Sequence, residues 1–168
     1  MQPLGFTPAI VALTAVHFHY AGLLLPLFAG LAQRRMPESR WADRVLVGVV
    51  LGVPAVAVGI TTAQLGWGPA IEAAAGGGLA LAGLGVAVLH LRVALGREDN
   101  ACVRLLLGVA GGALVFGMGL AGLYAIRAFV VPWPWLGLPQ MRMLHGTENA
   151  VGFGLCGALG WRAAAAQA

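Results

Sequence analysis

The chain has 168 residues, of which 60% are hydrophobic and only 10% are charged. Soluble domains usually carry about a quarter charged residues, so this composition excludes an ordinary water-soluble fold. The formal net charge is +4, but the arginines lie in short loops and there is no lysine, so we expect no nucleic-acid partner. Several apolar runs reach the roughly 18–20 residues that a helix needs to span a bilayer. The sequence therefore predicts a polytopic all-α integral membrane protein, with residues 1–168 forming a single transmembrane helical domain.

Five transmembrane helices are predicted along the chain. Their approximate bounds are 5–31, 45–65, 72–91, 102–128 and 140–161. Pro26 is expected to bend the first helix and Pro54 to kink the second, because proline removes a backbone hydrogen bond. Prolines exclude regular helix from residues 131–139, where Trp133 and Trp135 suit the headgroup region. We expect this loop to anchor the chain at the interface rather than to act as a substrate lid.

The arginines predict the orientation of the bundle. Eight of them lie in the loops after the first and third helices or follow the fifth helix, whereas only Arg127 and Arg142 lie on the opposite side. Positively charged loops stay in the cytoplasm, so the N-terminus is predicted outside and the C-terminus inside. The acidic residues of the cytoplasmic loops are interpreted as solvated partners of the arginines: Glu38, Asp43, Glu98 and Asp99.

Glycines repeat at four-residue spacing within the predicted helices. The series are Gly48 and Gly52, Gly108 and Gly112, and Gly152 with Cys156 and Gly160. Small residues at this spacing let helix backbones approach closely, so they indicate tight packing with little room for a wide pore.

The first helix carries an unusual polar sequence, Thr14-Ala-Val-His17-Phe-His19-Tyr20. Hydrocarbon offers these side chains no water, so polar and ionisable groups there are candidates for function. Thr14, His17 and Tyr20 follow at three-residue spacing and share one face, whereas His19 points elsewhere. The alternative is that each side chain only bonds to a neighbouring helix.

The fifth helix carries a second polar sequence, in which His145, Glu148 and Asn149 share one face. Glu148 and Asn149 lie roughly 12–14 Å below the outer surface, close to the roughly 14–18 Å of the first helix's polar groups. We therefore expect the two faces to form one pocket in the outer half of the bilayer. The alternative for Glu148 is a structural ion pair with Arg127 or Arg142.

Three further residues lie near the outer surface, and one lies near the opposite surface. Tyr124 and Arg127 close the outer end of the fourth helix, and Glu72 opens the third. His90 falls near the cytoplasmic edge, where we interpret it as interfacial.

This set of residues suits acid–base chemistry. A carboxyl group in a low-dielectric site can donate a proton near neutrality, and a neutral histidine beside it can act as base. We therefore predict a cofactor-free, metal-free isomerase or cyclase that acts on a lipophilic small molecule. The predicted catalytic residues are Glu148, His17 and His145. The predicted substrate-binding residues are Thr14, His19, Tyr20, Tyr124, Arg127 and Asn149. Membrane lipids are expected partners, and assembly into a homo-oligomer is left open.

Two other functions are compatible with the sequence. His17-Phe-His19-Tyr20 resembles the helix of haem–copper oxidase subunit I in which two histidines bind haems, although the further copper ligands have no counterparts here. A bis-histidine haem site could use His17 and His145, but their predicted depths differ by roughly 10 Å, whereas axial ligands lie nearly level. A small proton-coupled transporter is disfavoured because no internal repeat is evident.

Nearly the whole chain resembles the YndJ-like family of small bacterial membrane proteins. The residues that carry the resemblance are Thr14-Ala-Val-His17-Phe-His19-Tyr20-Ala-Gly22, Arg142-Met-Leu-His145-Gly146, Asn149-Ala-Val-Gly152-Phe-Gly154 and Gly160-Trp161. The resemblance implies a helical bundle in a bacterial cytoplasmic membrane and leaves the activity open.

Overall fold

The computed structural model describes residues 3–96, 100–130 and 135–166, and all regular structure within these ranges is helical. Five long helices form the bundle. They are α1 (Pro8–Arg34), α2 (Arg40–Gln64), α3 (Ala70–Leu95), α4 (Ala101–Ala125) and α5 (residues 138–165). The first four are long and apolar enough to cross a membrane, and α5 is the more polar helix that carries His145, Glu148 and Asn149. The predicted all-helical membrane bundle is confirmed.

A π turn divides α1 into two α-helical parts. Pro8–His19 and Leu25–Arg34 are α-helical, and Tyr20–Leu24 between them is π-helical, with the Leu25 N–H bonding the Tyr20 carbonyl five residues back. Pro26 has no N–H to donate, so a regular α-helical hydrogen bond is lost here. A π turn thus lies just before Pro26, where the sequence predicts a bend.

Helix α5 departs further from α-helical geometry. It is α-helical over Leu138–Met141 and Cys156–Ala165, and π-helical over Arg142–Gly146 and Glu148–Leu155. Insertions of π geometry occur frequently at functional sites. All three π segments of the described residues coincide with the two predicted polar sequences or follow them directly.

Glycines set the distance between several neighbouring helices. An added Cβ at Gly59 would lie 2.8 Å from the Glu72 Cα, and one at Gly160 would lie 2.8 Å from the Leu107 Cδ2. Such contacts agree with the predicted packing role. Gly112 differs, because an added Cβ there would meet nothing within 4 Å.

Helices α2 to α5 run up and down in sequence, and α1 closes the bundle by packing parallel to α5. Leu24 lies against Gly154, and Phe28 lies against Gly157 one helical turn further along both helices. The two parts of α1 differ in burial. Leu25–Arg34 contributes four buried residues to the core, whereas Pro8–His19 contributes none. The polar sequence of α1 therefore lies on the loosely packed flank of the bundle.

His90 is not interfacial, and the structure corrects that prediction. Its side chain is fully buried and lies within ring contact of Phe28, Phe153 and Trp161. The Nδ1 atom is 3.0 Å from the Val86 carbonyl, and Nε2 accepts a hydrogen bond of 3.1 Å from the Trp161 indole. Aromatic side chains from α1 and α5 cover this end of α3. The position of His90 along its own helix predicts its depth but not this burial by other helices.

The orientation predicted from the arginines can be tested by cysteine labelling. Glu38 is exposed in the loop between α1 and α2, and Trp67 is 71% exposed in the loop between α2 and α3. In a variant with Cys102 and Cys156 replaced by alanine, we expect Glu38→Cys to react with an impermeant maleimide only after the membrane is opened. Trp67→Cys should react in intact cells. The reverse pattern would place the N-terminus in the cytoplasm.

Candidate functional site

The site forms where α1 meets α5, at a pair of histidines. The ring centroids of His17 and His145 are 6.1 Å apart and their planes are inclined by 31°. The predicted offset of about 10 Å in depth is therefore wrong. Measured from the observed helix starts at Pro8 and Leu138, the two residues differ by only about 3 Å in depth.

The backbone of α4 holds the ring of His145 in place. Its Nδ1 atom is 2.8 Å from the backbone carbonyl oxygen of Gly117 on α4. A carbonyl oxygen can only accept, so in the neutral ring the shorter contact gives Nδ1 the hydrogen and leaves the lone pair on Nε2. The Asn149 amide nitrogen, 3.1 Å from Nδ1, then packs against this atom and does not donate to it. The backbone of α4 thus sets both the tautomer and the orientation of this ring, as backbone carbonyls do for many functional histidines.

Asn149 fills the space between His145 and α4. Its amide nitrogen donates to the His145 carbonyl at 2.8 Å, and its Oδ1 is the one buried side-chain oxygen without a hydrogen-bond partner among the described residues. The side chain rests against Gly117, where an added Cβ would lie 2.5 Å from Nδ2. Buried polar atoms are usually bonded, so this oxygen marks an acceptor that a donor could use.

Glu148 is half-buried on α5, and no hydrogen bond or ion pair reaches it from the described part of the chain. Its Oε1 atom would lie 3.3 Å from a Cβ added at Gly152. The structural ion pair considered for this residue is therefore not formed by Arg127 or Arg142.

Arg127 belongs to a separate cluster at the outer end of the bundle. Its guanidinium pairs with Glu72 at 2.8 Å, and its Cζ lies 4.1 Å from the centroid of the Tyr124 ring. Both partners are partly exposed, and surface pairs of this kind contribute about 0–1 kcal/mol. The structure therefore ties Arg127 and Tyr124 to Glu72 and not to Glu148.

The remaining predicted residues lie on α1 with different contacts. The Tyr20 ring packs against Gly154 of α5, and Thr14 is half-buried one turn before His17. His19 is exposed on another side of the helix, where its Nδ1 bonds the Ala15 carbonyl at 2.8 Å. This divergence of His17 and His19 agrees with the helical phase. The structure brings His17 and Tyr20, but not His19, onto α5.

Two glycines belong to the site although the sequence did not assign them to it. Gly117 supplies the carbonyl that holds His145, and Gly154 makes room for Tyr20. Both lie among many other glycines, and a backbone carbonyl leaves no signal in side-chain chemistry. Only the four-residue spacing of small residues suggested that α4 and α5 approach closely enough for such a bond.

No group of three histidine, cysteine, aspartate or glutamate side chains within the described ranges could hold a metal ion. Two surface grooves, of about 320 and 500 Å³, are lined by residues outside the histidine pair. His17 and His145 therefore meet in a helix contact rather than in either of these grooves.

Replacing Gly117 tests the support behind His145. In Gly117→Ala the new methyl group would collide with the Asn149 amide, so we expect α5 to shift and the free energy of unfolding to fall by about 1–3 kcal/mol. Gly119→Ala on the same helix is the matched control, because an added Cβ there meets nothing within 4 Å. Detergent-solubilised variants can be compared by reversible unfolding. Equal stability of the two variants would contradict the packing of Asn149 against Gly117.

The apolar helices, the buried aromatic core and the polar contact between α1 and α5 define a polytopic α-helical membrane protein. Residues 1–153 match the sequence profile of the family described as YndJ-like protein, so the chain belongs to that family. A relative in Bacillus subtilis (strain 168), named uncharacterized membrane protein YndJ, is 28% identical over 163 residues. The match covers 96% of this chain but only 28% of that relative. No solved structure matches the chain. These likenesses establish an integral bacterial membrane protein.

Proposed function

We propose that the chain is an acid–base enzyme of the isomerase or cyclase type, acting on a lipophilic small molecule between α1 and α5. The observation that carries the proposal is the contact of His17 with His145, whose Nε2 lone pair is kept available by the bond from Nδ1 to Gly117. Because no water is needed to hold the ring in place, the base is oriented before any substrate arrives.

His145 and Glu148 supply the two halves of a proton exchange. His145 Nε2 takes a proton from one atom of the substrate, and the carboxyl group of Glu148 gives a proton to another. The substrate then keeps its composition while a double bond moves or a ring opens or closes. Return of the proton from His145 to Glu148, through exchange with solvent, restores both groups. His17 lies beside His145 and is placed to share the proton during this return.

The surroundings of the pair favour a substrate that partitions into the bilayer. The α1 segment Pro8–His19 buries no residue, and Val16 beside His17 is 58% exposed. A lipophilic molecule that reaches the pair from the hydrocarbon side meets this requirement.

Deuterium labelling reports the proton exchange of whichever lipid reacts. Proteoliposomes made from a bacterial lipid extract are incubated in D₂O, and the lipids are analysed by chromatography with mass spectrometry. We expect a species that gains one deuterium and changes retention time at otherwise constant composition. His145→Ala should abolish this product. Arg162→Gln, at the far end of α5, serves as the control with normal labelling. Labelling that survives in His145→Ala would overturn the assignment of the base.

Bis-histidine haem binding is the second candidate, because the observed spacing removes the objection based on depth. His17 and His145 would be the two residues to hold a haem iron between their imidazole rings. The 6.1 Å between His17 and His145 is compatible with that arrangement.

The space around the pair argues against a macrocycle. Asn149 covers Gly117, Ala113 lies against Gly152, and Tyr20 covers Gly154. A haem would have to separate α1 from α5 to pass between the rings. The absorption spectrum of protein purified from haem-supplemented cells distinguishes the candidates: a Soret band that disappears in His17→Ala would favour haem over the enzyme.

A further inference from the structure

A groove at the loop between α3 and α4 combines one arginine with an apolar channel. It has a volume of about 500 Å³ and is lined by Leu95, Ala101, Arg104, Leu105, Gly108 and Val109. This volume lies in the range of small-molecule sites. The groove is remote from the histidine pair, so it has no part in the function proposed above.

The charge on the lining of this groove is carried by one arginine. Arg104 is exposed, and no carboxylate within the described residues lies within ion-pair distance of it. The first turn of α4 carries no acidic side chain either. The exposed guanidinium lies at the groove, where an anion at the membrane surface can reach it.

The rest of the groove is apolar and strongly exposed. Leu95 is 80% exposed and Leu105 is 67% exposed. Arg104 lies in the first turns of α4, and Val109 lies about 7.5 Å further along the helix axis, deeper in the bilayer. The groove thus has its charge at the membrane surface and its hydrocarbon lining below, which is the polarity of a phospholipid.

We propose that this groove is a binding site for an anionic phospholipid, with Arg104 on the headgroup phosphate and an acyl chain along Gly108 and Val109. Basic residues between transmembrane helices bind anionic headgroups in this way. The second groove, of about 320 Å³ between α3 and α4, offers a contrast because its lining is glycine, alanine, leucine and methionine without a charged side chain. That groove has no charged side chain that could select one lipid headgroup over another.

Binding can be measured by native mass spectrometry of the detergent-solubilised protein, titrated with phosphatidylglycerol or with phosphatidylcholine of the same acyl chains. We expect phosphatidylglycerol to bind at least about five-fold more tightly, and Arg104→Gln to weaken its binding about five-fold. Arg162→Gln is the charge-matched control at the same end of the bundle and should bind like the unmodified chain. Free glycerol phosphate should not bind, because it lacks the acyl chain.

The channel is tested separately from the charge. Gly108→Leu should fold, since an added Cβ meets only the Ala94 Cβ at 3.9 Å, but its side chain should block the acyl chain and weaken binding. Gly112→Leu is the control one turn further along the same helix, with nothing within 4 Å of an added Cβ. Equal affinity for the two lipids, or unchanged phosphatidylglycerol binding in both Arg104→Gln and Gly108→Leu, would overturn the proposal.

Discussion

Glu148→Gln is expected to lower the rate of deuterium incorporation by about 10²-fold or more while leaving the fold intact. Glutamine keeps the size and much of the hydrogen-bonding capacity of a protonated glutamate, but it has no proton to transfer to the substrate. General acid–base catalysis typically contributes about 10²–10⁴-fold, so loss of the acid should be visible well above the background. The structure sharpens this expectation, because neither Arg127 nor Arg142 pairs with the carboxyl group.

The rate and the melting temperature should be measured on the same preparation. If Glu148 were half of a structural ion pair, the glutamine variant would melt earlier and the surviving protein would retain its rate. If it is the acid, the rate falls and the melting temperature stays near that of the unmodified chain. A stable and fully active Glu148→Gln variant would remove the acid role and transfer it to His17 or His145.

His90→Ala is expected to lower the free energy of unfolding by about 3–5 kcal/mol. Two effects add up, since the substitution leaves a cavity among aromatic rings and removes the acceptor of the buried Trp161 indole. Large-to-small substitutions in a core lose about 2–5 kcal/mol, and an orphaned buried donor loses about 1–3 kcal/mol.

The matched control for this substitution is His19→Ala. The His19 ring is exposed and bonds only the carbonyl of Ala15 on its own helix, so its loss should change the free energy of unfolding by less than about 0.5 kcal/mol. Reversible unfolding in mixed micelles measures both variants. Similar stability of the two would show that the aromatic cage around His90 does not hold the bundle together.

Composition and apolar run length were sufficient to predict the class and the number of helices, and helical phase with depth predicted that the two polar sequences meet. His17 and His145 were predicted to share a pocket, and their rings are in contact. Their supposed difference in depth arose because the first helix was predicted to begin too early, before Pro8, and the fifth too late, after Leu138. Small errors of this kind add up, because each residue advances a helix by about 1.5 Å.

Contacts between helices distant in sequence were harder to predict. The position of His90 along α3 gives its depth, but Phe28 and Trp161 cover it from two other helices. Glu72 and Glu148 were both predicted on the outer side, near Arg127. Hydropathy does not indicate which of the two carboxylates pairs with this arginine. The loop prediction for Pro132, Trp133 and Pro134, like the solvated roles of Glu98 and Asp99, lies outside the described residues. The prediction that Pro139 excludes helix is wrong, because Leu138–Met141 is α-helical and the first turn of a helix tolerates proline. Trp135 is 51% exposed, as an interfacial anchor should be.

The unequal burial along α1 has a consequence for how a ligand is supplied to the histidine pair. Displacing Pro8–His19 removes no buried side chain from the core, while Leu25–Arg34 stays fixed by its four buried residues. The Tyr20–Leu24 turn separates the two parts. For the function we propose, access is then from the hydrocarbon side, and the relevant substrate concentration is the one dissolved in the membrane. The aqueous concentration of substrate that gives half-saturation should fall in proportion to the membrane–water partition coefficient of the substrate. Two substrates that make equal contacts would then differ in this concentration only through their solubility in lipid.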